Sequence, residues 1–547
     1  MASSRPAKLM TAMLIHLQTL LIILLLCPHQ TTSNDRSLLA INMACRATQL
    51  PNLCKSSLSK LPANATPSQI IAAAMDLASA AAQQNHILSK DLLAASSANA
   101  NVTAAANNCV EFMAYSIDLI AKSKGGGIER HIIKDIKAWM SASVAYQYDC
   151  ASDLRYVNNS RKVSELIQHL DFAINLTSNA LSMVDALDMY GDNTALWRPP
   201  QTERSKSPNN VILQFHDYNV EISDEQHRMV VPNVTVSKAK GGALSSIQAA
   251  VNAAPDYSAR KFVIRIKAGV YQETVRIPRS KTNLVFIGEG MERTVITGSR
   301  YVPSLPGAVT IYDSATVGVN GEGFVARDLT FENTYRGPKT HQAVALRVDS
   351  DLSAFYNCAF LSHQDTLYAH TLRQYYHNCT IQGTHDFIFG NAAAIFHKCS
   401  IRVSPRQLRS KSGENDPVTA HGRTDLAQST GFVFDACSVD GTEEYMKDFR
   451  ANPSVHRVYL GRPWKMYCRT VFLNSYLGKV IRPDGWMAWN GTFALDTLFY
   501  GEFRNYGPGA EISGRVPWCN QISEKNVGIY SVQNFIQGQQ WLPATRL

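Results

Sequence analysis

The chain has 547 residues, 45% of them hydrophobic and 18% charged, and a formal net charge of +9. That length is too great for one compact domain, so two folded units, each able to bury a full core, are expected together with a leader and a linker. The positive excess lies wholly in residues 228–547, which hold 35 Lys/Arg against 25 Asp/Glu, and such a surface outside the cell suits acidic polysaccharide better than nucleic acid.

Residues 1–33 carry Arg5 and Lys8, a nearly unbroken apolar run from Leu9 to Leu26, and then a polar stretch. They are expected to be a secretory signal peptide or, because the run is long enough to span a bilayer, a signal anchor. Sequons at Asn64, Asn101, Asn158, Asn175, Asn233, Asn378 and Asn490 agree with passage through the secretory route. All but Asn378 are candidates for glycosylation. Asn378 sits in a repeated Asn-Cys string where a glycan is expected to collide with neighbouring strands. With Cys27 in the leader, ten of the eleven cysteines remain in the mature chain. They include no metal-ligand spacing, so disulfides are expected and no metal or other cofactor is.

Residues 38–190 are rich in Ala, Leu, Ser and Asn. Apolar residues recur at helical intervals, as in Val163, Leu166, Ile167, Leu170, Ile174, Leu181 and Val184, which predicts an all-α helical bundle. Cys45 with Cys54 could clip a hairpin, and Cys109 with Cys150 could tie two long helices. Spacing alone leaves these pairings open. His86, His131 and His169 are isolated and predict no chemistry. Residues 191–230, with Pro199, Pro200 and Pro208, have a composition that cannot build a core and are expected to form a linker.

From residue 231 to the C-terminus the pattern changes to short β-prone runs with a recurring signature: FENT, FYNCAF, YYHNCTI, FHKCSI and FDACSV. Asn333, Asn357 and Asn378 are spaced by 24 and 21 residues, and Cys358, Cys379 and Cys399 by 21 and 20. Short strands repeating at this interval without intervening helices predict an all-β, right-handed parallel β-helix. An antiparallel sandwich would not need one constant interval.

Residues 21 or 22 apart then lie on neighbouring rungs, about 4.8 Å apart. Gln342 precedes Gln364 by 22, and Asp365 precedes Asp386 by 21. Two carboxylates so placed resist ionising together, which supplies one acid and one base or nucleophile. Glutamine amides can stabilise an oxyanion without adding charge. Arg462 can hold a carboxylate in bidentate fashion, and Trp464, Trp486 and Trp489 suit sugar faces, although at least one of the last two is expected to be an ordinary core residue.

Taken together, GVYQE, GFVARDLTFENT, HQAVALR, QDTLYAH, DFIFGNA, LGRPW and WNGTFALDTLFYGEF resemble the plant pectin methylesterases (pectinesterases) that carry an N-terminal pectinesterase-inhibitor-like domain. The resemblance implies hydrolysis of pectin methyl esters at the cell wall by a secreted, monomeric enzyme without cofactor. It implies Asp386 as nucleophile, Asp365 as proton donor and then base, Gln364 and Gln342 as oxyanion stabilisers, and Arg462 as the group orienting the nucleophile. Substrate contacts are implied for Gln342, Arg462, Trp464 and Trp489. The disulfides implied are Cys45–Cys54, Cys109–Cys150 and Cys379–Cys399, with Cys358, Cys437, Cys468 and Cys519 unassigned. Further partners implied are separate inhibitor proteins and a processing protease, the helical part acting as inhibitor or folding partner in cis.

The sequence also departs from the family pattern. Ser362-His363 replaces the usual Gly-Tyr, His385 the usual Val, Cys468 a Ser and Ile311 a Thr. A protonated His385 is expected to lower the pKa of Asp386. The usual dibasic site before the catalytic part is missing, the nearest string being His227-Arg228-Met229-Val230. A pectin-binding protein without activity is disfavoured by the intact Gln-Gln-Asp-Asp-Arg set. A lyase or glycoside hydrolase on the same scaffold is disfavoured because no calcium-binding acidic cluster and no glycosidase carboxylate pair is evident.

Overall fold

The computed structural model describes residues 40–203 and 231–545, apart from 63, 158–159, 240–243, 304–308, 337–340 and 407–413. The expected leader, Asn158, most of the expected linker and the His227–Val230 string lie outside the described residues.

Four long helices, Pro67–Ala95, Ala100–Gly125, Ile133–Tyr156 and Arg161–Tyr190, pack as a bundle. Their starts follow local chemistry. Thr66 and Gln69 close a capping box ahead of Pro67, Asn99 accepts from the N–H groups of Asn101 and Val102, and Ser160 accepts from Val163. The stripe predicted in the last helix faces inward, with Val163, Leu166, Leu170, Leu181 and Val184 buried. Cys45 is bonded to Cys54 and Cys109 to Cys150.

The first part of the expected linker is ordered. Trp197 is fully buried in the bundle core, its indole N–H donating to Gly191 O at 2.8 Å. Glu203 pairs with Arg423 and Arg469 of the β part. One large apolar side chain docks this stretch where average composition predicted none.

Residues 234–521 form three parallel sheets of eleven, seven and eight strands among the described residues. Within each sheet every strand but the two at its ends pairs in parallel with the one above and the one below, as a β-helix requires. Inward aromatics stack in a column: Phe355 on Tyr376 at 4.8 Å, Tyr376 on Phe396 at 4.7 Å, Phe396 on Phe434 at 4.6 Å and Phe434 on Phe472 at 4.5 Å. Each such contact adds about 0.5–1.5 kcal/mol beyond area burial.

The asparagine interval has a backbone cause. Asp328, Asn357, Asn378, Lys398, Ala436, Asn474 and Arg504 occupy the same turn on successive rungs, all with φ between 48° and 59°. Asn and Asp tolerate this left-handed conformation better than most residues. Asn333 is not a member of that ladder. It ends the strand Thr330–Asn333 and donates its amide to Arg300 O and Val344 O, and the residue aligned with Asn357 is Asp328. Asn378 is exposed on the ladder's outer edge, so coil stacking does not occlude it. Its amide nitrogen, the atom a glycan would take, donates to Asn357 Oδ1 at 2.8 Å.

Cys358, Cys379, Cys399 and Cys437 stack in one buried column, and all four are thiols. The expected Cys379–Cys399 disulfide is therefore not formed. In-register stacking gives Cys379 and Cys399 sulfur neighbours on both sides, and their thiols donate to Phe355 O and Tyr376 O.

Candidate active site

The seven-stranded sheet carries the site. Leu346 opposes Leu367, and Leu367 opposes Ile388, so Asp365 and Asp386 enter the sheet on adjacent rungs, each two residues before a paired strand position. Both have left-handed backbones, with φ of 62° and 50°. Such conformations in non-glycine residues persist where surrounding structure enforces them and cluster at functional sites.

The 22-residue offset of the glutamines is reconciled with the 21-residue offset of the aspartates by one extra residue. The N–H groups of Ala345 and Leu346 both reach Thr366 O, at 2.9 and 3.4 Å, which marks a bulge. Upstream of it Ala343 donates to Gln364 O, and this brings Gln342 alongside Gln364. Both glutamines are half-buried, and neither commits its side-chain amide to a hydrogen bond among the described residues.

The two carboxyls differ in their partners. Arg462 spans Asp386: Nε lies 2.9 Å from Oδ1 and 3.2 Å from Oδ2, and Nη2 contacts Oδ2. Asp365 is equally buried, at 6% exposure, and accepts no hydrogen bond from a described residue. Burial and the neighbouring charge of Asp386 push Asp365 well above the usual carboxyl range. Burial also raises Asp386, but the hydrogen bonds and charge of Arg462 pull it back, so the rise is smaller. The geometry therefore separates the pair: Asp386 gives up its proton more readily than Asp365.

His385 does not supply the expected cation. It is buried, and desolvation together with the charges of Arg406 and Arg462 holds it well below the usual histidine range, hence neutral. Its Nδ1 lies 3.3 Å from Thr384 Oγ1.

The tryptophans divide. Trp486 is a core residue, stacked on Tyr500 at 4.2 Å and donating to Glu502. Trp489 is exposed and lies under the Arg462 guanidinium, 4.2 Å from its ring centroid. Trp464 is half-buried against Phe389, and a Cβ on Gly422 would come within 2.9 Å of its ring.

Sequence reasoning missed the aromatic flank. Tyr368 stacks on Phe389 at 4.3 Å, each three residues past one of the two aspartates, so the same rung interval could have found them. This flank is covered by the helical bundle. Phe112 packs edge-on against Tyr312 at 4.8 Å, and a single apolar cluster joins Phe112, Tyr146 and Leu170 to Tyr312, Tyr368 and Phe389, with Ile311 and Trp464 packed against it. Polar ties surround it. His370 contacts Asp349 and Asp149, Arg373 bridges Asp351 and Asp135, and Trp139 donates to Asp351.

The profile of the family described as Pectinesterase matches residues 233–539, more than half of the chain. The chain belongs to the pectinesterase family. It is a carboxylic ester hydrolase that removes methyl esters from pectin, and the profile described as plant invertase/pectin methylesterase inhibitor matches residues 39–183 of its helical part. Similar proteins include "Probable pectinesterase/pectinesterase inhibitor 64" of Arabidopsis thaliana, 48% identical over 513 residues, covering 92% of this chain and 85% of that one. "Pectinesterase 3" of Citrus sinensis is 36% identical, covering 92% and 87%. Among solved structures, "Pectin methylesterase from Carrot" superposes with a TM-score of 0.54 at 46% identity, covering 59% of this chain and 98% of that one. No group of three or more His, Cys, Asp or Glu able to hold a metal ion occurs among the described residues.

Proposed function

We propose that this pectinesterase works through an acyl-enzyme on Asp386. The observation that carries this is the Arg462–Asp386 pair beside a buried Asp365 that accepts no hydrogen bond from a described residue. One oxygen of the ionised Asp386 attacks the methyl-ester carbonyl of a galacturonate unit. The tetrahedral oxyanion takes hydrogen bonds from the uncommitted amides of Gln342 and Gln364. Asp365 gives its proton to the departing methanol, leaving a mixed anhydride. It then accepts a proton from water as the water attacks the anhydride, releasing the acid and restoring both carboxyls. Arg462 keeps Asp386 ionised and aimed, Trp489 supports Arg462, and Trp464 offers a ring face to the sugar.

The division proposed is a helical part at 38–190, a linker at 191–230 and a catalytic part at 231–547, exported to the cell wall. The helical part inhibits in cis, a reading supported by its cover over Tyr312, Tyr368 and Phe389. A separate inhibitor protein would compete for the same flank, and a protease acting between residues 204 and 230 would free it. The test is methanol release from methyl-esterified pectin before and after cleavage at a protease site placed in that interval. Release should rise on cleavage and disappear with Asp386→Ala; equal release before and after would remove the inhibitory role.

A further inference from the structure

The strand Glu414–His421 is the rung between the two halves of the Asp386–Arg462 pair. On one side Ile388 opposes Thr419, and Pro417 O accepts from the Asp386 N–H at 2.6 Å. On the other side Thr419 opposes Gly461, and Thr419 O accepts from the Arg462 N–H at 2.9 Å. The setting of this one strand therefore fixes both the nucleophile and the group that spans it. Asp386 depends on it most, because its left-handed backbone, with φ of 50°, has to be enforced from outside.

Pro417 weakens the strand's own hold, since a proline flanked on both sides gives its ladder no N–H. Arg406 compensates. Its Nε lies 2.7 Å from Asp416 Oδ1 and its Nη2 donates to Asn415 O, so it grips the two residues directly before Pro417. Asp416 is fully buried and accepts a further hydrogen bond from the Tyr445 hydroxyl at 3.3 Å.

The same guanidinium reaches the nucleophile electrostatically. Burial raises Asp386, Arg462 opposes the rise most, and the charge of Arg406 opposes it further. Facing Asp386 are Asp365, Arg462, Arg406 and the phenol of Tyr500. Facing Arg406 are Asp416 and Glu414 on the strand, Tyr445 on the helix Glu443–Ala451, and His385. Burial pushes Asp416 up to about 6 and Glu414 up to about 7, so both lose charge as the medium turns acid. Arg406 is then least neutralised where Asp386 is closest to taking a proton.

We propose that Arg406 is a second positioning residue for the reaction: it locks the strand that holds the Asp386 backbone and lends the nucleophile a positive charge beside that of Arg462. This role rests on the acyl-enzyme reading above and adds to it a residue that acts through Asp386.

The test records methanol release across pH for the full chain, cleaved at the protease site placed between residues 204 and 230. Arg406→Gln should move the acid limb up by about half a pH unit with KM unchanged. Arg406→Lys keeps the charge and should return the limb to its wild-type position. Asp416→Asn loosens the same strand but leaves the cation, so it should lower turnover at the optimum without raising the limb, and it decides the question even where Arg406→Gln does not fold. An acid limb unmoved by Arg406→Gln, a rise in KM in its place, or an equal upward shift in Asp416→Asn would overturn the proposal. Asp386→Ala, run beside these variants, keeps the two readings apart. If it still releases methanol, the acyl-enzyme falls and the role of Arg406 with it; if it is inactive and the Arg406→Gln limb has not moved, only the role of Arg406 falls.

Discussion

Arg462 lies across the carboxylate of Asp386, with Nε 2.9 Å from Oδ1, and no described residue gives Asp365 an equivalent donor. Two aspartates one rung apart thereby acquire different protonation states from a single asymmetric partner. On the mechanism proposed above, Asp386 works ionised and Asp365 protonated, so Asp386 should set the acid limb of the pH profile and Asp365 the alkaline limb. Arg462→Gln removes what opposes burial at Asp386, so that carboxyl titrates higher and the acid limb moves up in pH. Breaking a buried pair costs about 3–5 kcal/mol, and turnover should fall at least a hundredfold. Arg462→Lys should recover only part of it, since a point charge cannot span both oxygens. Rates across pH for the two variants check this.

His385 should leave the acid limb where it is. Burial and the charges of Arg406 and Arg462 hold the imidazole well below the usual histidine range, so near neutral pH His385→Val removes no charge. A profile that shifts upward in this variant would show that the histidine carries a proton.

Trp489 and Trp464 should separate kinetically. Trp489 acts on Arg462, so Trp489→Ala should lower kcat with the acid limb displaced in the direction of Arg462→Gln, and Trp489→Phe should restore much of it. Trp464→Ala should raise KM with little change in the profile. Identical effects from both would show that Trp489 serves only as a sugar platform.

The contact between the helical and β parts should weaken as pH rises. Asp153 is half-buried at that contact beside Asp149, Asp313 and His370, held by Asn108, and the loss of solvent pushes it up to about 7 from the ordinary carboxyl range. A carboxyl raised in the docked state favours docking while protonated. That contribution is lost as pH climbs from about 4 to about 7 and is constant above. Asp153→Asn should flatten this dependence, measured as the apparent affinity of the cleaved helical part for the β part. A dependence of equal size in the variant would assign it to another group.

Much of the site was legible because a β-helix turns sequence interval into distance. Asp365 and Asp386 came together through one count of 21, and Gln342 met Gln364 only because the bulge at Ala345 and Leu346 absorbs the extra residue. An interval cannot reveal such a bulge, nor could it tell Asn333, a strand end, from Asp328, the true rung partner of Asn357. Residue type hid other features. Trp197 anchors a stretch whose average composition argued for a free linker, and His385 sits in a burial that only the fold reveals. The cover over Tyr368 and Phe389 depends on contacts between two parts distant in sequence, which no local pattern encodes.

The most direct test of the central claim is to quench the cleaved enzyme during turnover of methyl-esterified pectin in the presence of hydroxylamine, and to map the modified residue by mass spectrometry. A mixed anhydride on Asp386 predicts a hydroxamate at Asp386 that forms only with esterified substrate and is missing in Asp386→Ala, which should also release no methanol. Methanol release that persists in Asp386→Ala, with no carboxyl modified, would contradict the account.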